Sequence, residues 1–153
     1  MRAISQSDQH FIAAINGPVA GVGLAFALAC DHIIASERAS LVTAFGKISL
    51  VPEVGTSWLL TRRPGYHKTM ELFLRGTPIP ADEALALNLV NRIVPHQSLL
   101  DEAQGWGRKV CDLPENVTAM AKAQLRKTAD MSWEQAPVME EFAAVPLLGD
   151  FVC

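Results

Sequence analysis

Two short stretches carry residue types that can do chemistry. Gly21-Val22-Gly23 opens a run of apolar, helix-forming residues. The first backbone N–H groups of a helix lack intrahelical acceptors, so they attract developing negative charge and can hold an oxyanion. A pair of glycines can equally be a packing accommodation. The stretch is not a dinucleotide fingerprint, because Phe26 stands where a third glycine or an alanine is needed. The second stretch, Val51-Pro52-Glu53-Val54-Gly55, sets one carboxylate between apolar residues in a Gly/Pro loop. Partial burial there would favour the protonated carboxyl and suit Glu53 to proton transfer. A solvated loop glutamate is the alternative.

The other polar groups offer less. His10, His32, His67 and His96 show no metal-ligand spacing, so no metal is expected, and His67 with Glu71 reads as a surface i,i+4 pair. The Gly-x-Ser-x-Gly elbow of serine hydrolases is missing. Lys122 and Arg126 lie one helical turn apart and read as a solvated face, or as a pair able to meet a ligand phosphate. Trp58, Trp106 and Trp133 are too scattered for a stacking platform, which leaves core packing.

Apolar periodicity indicates the elements that position these groups. Residues 11–15 form a strand stopped by the turn Asn16-Gly17-Pro18. The run GVGLAFALAC from Gly21 is apolar all round, which predicts a helix buried on every face, ending near Cys30-Asp31, within a layered α/β core. Residues 32–35 and 41–44 read as sequential strands. Residues 47–56 form an irregular loop and 57–61 a short helix. Met70, Phe73 and Leu74 share one face of a helix over 66–75, with Gly76 as its left-handed stop. A helix over 81–87 has Asp82 and Glu83 at its positive end and Asn88 beyond its other end. A strand over 89–94 is closed by Pro95, and helices follow over 98–111, with Ser98 as N-cap, and over 114–129. These elements predict a core over residues 1–130 and a shortened helical tail over 131–153.

The 153 residues are half apolar and only 19% charged, a composition that buries a sizeable core without a disulfide or metal staple. Thirteen basic against sixteen acidic residues leave a formal charge of -3 and no basic stripe, which argues against a nucleic-acid partner. Cys30, Cys111 and Cys153 are odd in number and contain no CxxC, in keeping with a reducing compartment. The longest apolar stretch, 17–30, contains Pro18 and is too short for a membrane span. No targeting signal is visible, so a cytoplasmic location is expected, with a mitochondrial or peroxisomal matrix as the alternatives.

Taken in order, IAAINGPVAGVGLAFALACDHIIASERASLVTAFGKISLVPEVGTSWLL and LRGTPIPADEALALNLVNRIVP closely resemble the enoyl-CoA hydratase/isomerase (crotonase) superfamily, over about residues 11–129. The ordered combination is far more specific than any one part. The resemblance implies an α/β fold, a partial spiral of ββα turns followed by C-terminal helices. It also implies trimeric or hexameric assembly and an acyl-CoA thioester substrate, with no cofactor beyond the coenzyme A of that substrate. The family holds the thioester enolate between two backbone N–H groups, and Val22 matches the second. Hydrating members carry two glutamates where this chain has Ala25 and Phe45, whereas isomerising members carry one acid after a proline, where Glu53 stands. The resemblance thus implies Glu53 and the Val22 N–H as catalytic groups, with Gly21, Gly23, Leu24, Phe45, Gly55 and Trp58 around the substrate. It favours Δ3-Δ2-enoyl-CoA isomerisation in fatty-acid or related acyl-CoA metabolism. Hydration and a non-catalytic oligomer subunit are the alternatives. Family members have most of a further half before the strand at Phe11, which supplies the first oxyanion donor. Loss of one such donor typically costs about 2.7 to 4 kcal/mol of transition-state stabilisation. The isolated chain is therefore expected to be nearly inactive.

Overall fold

Short β-branched runs punctuated by Asn, Gly and Pro form strands along the first half of the chain, and longer 3.6-periodic runs form helices along the second. The computed structural model describes residues 1–141. Helix α1 (Arg2–Gln6) leads into β1 (Ile12–Ile15), β2 (Pro18–Ala20) and α2 (Gly21–Ala29). The strand pair returns as β3 (His32–Ser36) and β4 (Ser40–Val42), followed by a 310 turn at Ala44–Ile48, α3 (Thr56–Thr61) and α4 (Tyr66–Arg75). Then come β5 (Pro78–Pro80), α5 (Ala81–Ala86), β6 (Arg92–Val94), a second 310 turn (His96–Ser98), α6 (Leu99–Cys111) and α7 (Glu115–Thr128).

The strands form two small sheets. One has the order β1-β3-β6, all parallel; the other is β2-β4-β5, with β5 antiparallel to β4. Ile12 lies opposite His32 and Pro18 opposite Ser40, so each strand of the first ββα unit pairs with its counterpart in the next. This pairing is the ββα spiral expected above. On β3, Ile33 and Ala35 face a core shared with Leu24, Leu28, Leu60 and Leu72, whereas Ile34 faces Val94, Leu99 and Trp106 beneath α6. Burial on both faces explains why this parallel strand reads as an unbroken apolar run.

Several expectations change in the structure. Helix α2 is not buried on every face: Leu24, Ala25 and Leu28 are sealed, but Val22 and Phe26 are 45% and 46% exposed. The sheets and α3 pack on one side and leave Val22 and Phe26 on the more open one. The Asn16-Gly17-Pro18 turn runs directly into a strand, β2, which begins on Pro18 at a sheet edge where its missing N–H is harmless. Pro78–Pro80 forms the opposite edge for the same reason. The expected strand 41–44 ends at Val42, because Thr43 leaves the extended conformation (φ -105, ψ 36); its buried hydroxyl donates to Leu72 O at 3.0 Å. The expected strand 89–94 shrinks to Arg92–Val94. The Leu89 and Val90 amides instead donate to Ala84 O at the end of α5, and the Asn91 side chain accepts the Ile33 N–H at 2.7 Å. Ser98 makes no side-chain cap, because its backbone is already helical (φ -93, ψ -3) rather than extended. Gly76 and Asn88 both take the left-handed conformation expected past their helices. The tail over 142–153 lies outside the described residues.

Candidate active site

The helix start at Gly21 follows from backbone geometry. Ala20 is still extended, and Gly21 takes φ +52, a left-handed value that turns β2 directly into α2 without a loop. No side chain caps this terminus. The N–H groups of Gly21, Val22 and Gly23 have no intrahelical acceptor, and Val22 is half-exposed, so these donors are presented at the surface. The aligned peptide dipoles of the helix add partial positive charge at the same place.

The Glu53 loop is held by its backbone. Leu50 N–H donates to Phe45 O at 2.9 Å and Thr56 N–H to Glu53 O at 2.9 Å, while Val54 and Gly55 take φ +55 and +83. A β-branched residue with positive φ is strained by about 1 to 3 kcal/mol, a cost that tends to persist at functional positions. The loop leads into α3, whose Leu59 and Leu60 share a core cluster with Leu24 and Leu28 of α2. The partial burial expected for Glu53 is not there. Its residue is exposed, and its carboxylate has no hydrogen-bond or ion-pair partner among the described residues.

The other expected substrate contacts separate into two groups. Leu24 and Phe45 are 0% and 5% exposed and belong to the packed interior. Gly55 and Trp58 line a cavity of about 590 Å³ between α1, α3 and α7. Trp58 is not core, being 46% exposed with the Arg62 guanidinium 4.4 Å above its ring. Trp133 is 83% exposed, and Glu71 pairs with Lys68 rather than His67. Ala29, at the C-terminal end of α2, also lines this cavity, about 10 Å along the helix axis from Val22 by the rise per residue. Neither Val22 nor Glu53 lines it or the two smaller cavities.

Sequence reasoning missed the charged cluster at that end of α2. Lys122 is not on a solvated face. Its side chain is 3% exposed, 2.9 Å from Asp31 Oδ2, and donates to Ile4 O at 2.9 Å and Gln9 O at 2.6 Å. Arg126 Nη2 donates to Asp31 Oδ1 at 2.6 Å and Ala29 O at 2.8 Å, and Arg63 Nη2 to Leu28 O at 2.7 Å. Two guanidinium groups thereby satisfy the last carbonyls of α2 and complement its dipole. Burial pushes the Asp31 carboxyl up, but the Phe11 amide, Arg126 and Lys122 together outweigh it and hold it below its usual value. Burial, then the adjacent Asp31 charge, push the Cys30 thiol up. The i,i+4 spacing of Lys122 and Arg126 was the available signal, but nothing local shows that Asp31 lies opposite. Among the described residues there is no cluster of three His, Cys, Asp or Glu that could hold a metal, and no helix is long and apolar enough to cross a membrane.

Comparison with known proteins accounts for this arrangement. The enoyl-CoA hydratase/isomerase family pattern matches residues 1–142. The 1,2-epoxyphenylacetyl-CoA isomerase of Escherichia coli K12 is 34% identical over 114 residues, covering 74% of this chain and 44% of the relative. The crystal structure of a probable enoyl-CoA hydratase/isomerase from Mycobacterium abscessus superposes with TM-score 0.88 at 33% identity, over 93% of this chain and 55% of that one. A Thermobifida fusca YX protein assigned as an enoyl-CoA hydratase and solved in complex with CoA superposes with TM-score 0.92 at 26% identity, over 97% and 58% of the two chains. The same protein was also solved with acetoacetyl-CoA. The chain spans about half the length of the curated relatives it matches. With the ββα spiral, the uncapped Gly-Val-Gly helix start and the Val-Pro-Glu loop in place, these matches make the chain a member of the enoyl-CoA hydratase/isomerase family.

Proposed function

We propose that this chain contributes to Δ3-Δ2 isomerisation of enoyl-CoA thioesters, with Glu53 as the single acid/base and the Val22 N–H as an oxyanion donor. The observation that carries this reading is one unpartnered carboxylate on an anchored, strained loop, with Ala25 and Phe45 at the two positions where hydrating relatives carry acids. The Glu53 carboxylate takes a proton from C2 of a 3-enoyl thioester. The electron pair passes to the thioester oxygen, where the Val22 N–H and the dipole of α2 stabilise the negative charge. The protonated Glu53 then returns its proton to C4, which leaves the double bond between C2 and C3. One carboxylate suffices for this shuttle, whereas water addition is usually supported by two. Gly21 and Gly23 keep the donor uncovered, Gly55 shapes the loop, and Trp58 offers an apolar face to the acyl group. Assembly as a trimer or hexamer is part of the proposal.

Glu53→Gln tests it. Turnover of 3-enoyl-CoA is expected to fall by about 10² to 10⁴, the usual contribution of a positioned acid/base, with circular dichroism and CoA-ester binding unchanged. Unchanged turnover would remove Glu53 from the mechanism. Supplying 2-enoyl-CoA in parallel separates isomerase from hydratase: a hydratase consumes it with formation of the 3-hydroxy thioester, and an isomerase does not.

A further inference from the structure

The Trp58 cavity adjoins a second one of about 390 Å³, and Trp58, Leu59 and Arg126 line both. Their chemistry differs. The larger is walled by Val54, Trp58, Leu59, Ala119 and Ala123, the smaller by Arg62, Arg63, Lys122 and Arg126. Across the two, lining cations outnumber carboxylates five to three. Arg126 sits where they meet. Its Nη2 is used by Asp31 and Ala29 O, but its Nη1 and Nε have no partner among the described residues. Burial first, and the nearby Arg126 charge second, push the Arg63 guanidinium down.

We propose that these two cavities form a binding site for an alkyl chain ending in a carboxylate, with the chain between Trp58 and Ala123 and the carboxylate on the free Nη1 of Arg126. A largely apolar pocket joined to a few placed charged groups is the usual form of a small-molecule site. A guanidinium N–H makes a charge-assisted hydrogen bond to a carboxylate, and the excess cations lower the cost of bringing the anion out of water. The inference shares Trp58 with the proposed acyl contact but uses neither Glu53 nor Val22, which line neither cavity, so binding here and turnover there can fail separately. A free fatty carboxylate and an acyl thioester with a carboxylate at its far end share this chemistry.

Calorimetric titration of the full chain with octanoate, 1-octanol, butyrate and the monothioester of octanedioic acid with CoA tests the site. Octanoate or the thioester is expected to bind at least tenfold tighter than octanol, which lacks the charge, and octanoate at least tenfold tighter than butyrate, which lacks the chain. Tight octanoate binding identifies a free acid as the ligand; tight binding of the thioester alone identifies the second source. Ala123→Phe, at an exposed helix position on the wall of the larger cavity, narrows that cavity and should weaken the tighter ligand at least tenfold. Arg126→Gln should abolish the preference over octanol. Octanol binding as tightly as both carboxylates, or unchanged affinity in Ala123→Phe, overturns the proposal.

Discussion

Replacing Asp31 with alanine should be among the most destabilising changes in this chain, for reasons of burial and charge. Asp31 Oδ2 accepts the Phe11 N–H at 2.9 Å and lies 2.9 Å from Lys122 Nζ, while Oδ1 accepts Arg126 Nη2 at 2.6 Å. One carboxylate thus ties the start of β1, the end of α2 and the middle of α7. Its removal leaves the Lys122 ammonium buried with only the Ile4 and Gln9 carbonyls. Breaking a buried pair from one side costs about 3 to 5 kcal/mol, a large part of the roughly 5 to 15 kcal/mol that holds a typical domain folded. Urea unfolding at pH 7, followed by circular dichroism, measures it. Adding Lys122→Met removes the stranded charge, so the double variant should recover about 1 to 3 kcal/mol relative to the sum of the singles. Acid sharpens the test. Asp31 is held below its usual 3.8, so its stabilisation is fully present above that pH and fades as pH falls through the lower folded value. Asp31→Asn should flatten the stability curve in that acid range. A loss below about 1 kcal/mol in Asp31→Ala would refute a structural role for the cluster.

Two further changes probe the frame around the site. Gly21→Ala meets no neighbouring atom within 4 Å, so its cost should be the left-handed strain alone, about 1 to 2 kcal/mol by denaturation, with any larger loss pointing to a clash that the geometry excludes. His32 lies 4.3 Å from the Trp106 ring, centroid to centroid, and burial, then Arg92, lower its pKa below the usual 6.5. Stability should therefore be complete above pH 6.5 and decline as pH falls towards the folded value, because the unfolded chain takes up the proton first. His32→Phe should remove that slope, and a slope that survives would assign it to another group.

Most of the helices were legible because their signals are local. Met70, Phe73 and Leu74 recur at helical spacing, and Gly76 stops that helix by a property of its own backbone. The short strands were harder. Pro78–Pro80 carries two residues that ordinarily argue against a strand, and only its edge position beside β4 makes it one. Leu89 and Val90 look like strand residues, yet their amides are taken by α5. The two stretches able to do chemistry were also legible, since both rest on residues adjacent in sequence. The exposure of Glu53 and Trp58 was not, because burial depends on which distant elements pack above a loop.

The sequence by itself determined the family, the glycine start of α2 and the proline-flanked acid, all of which depend on residue type and near neighbours; the second strand of the first ββα unit, Pro18–Ala20, needed its edge place beside β4. The tertiary structure decided what Lys122 and Arg126 do. On their own helix they are two exposed-looking cations one turn apart; Asp31, some ninety positions away, makes them the clamp on the end of α2. Coulombic pairing acts through space and is strengthened by burial, and neither the distance nor the burial is encoded in local spacing.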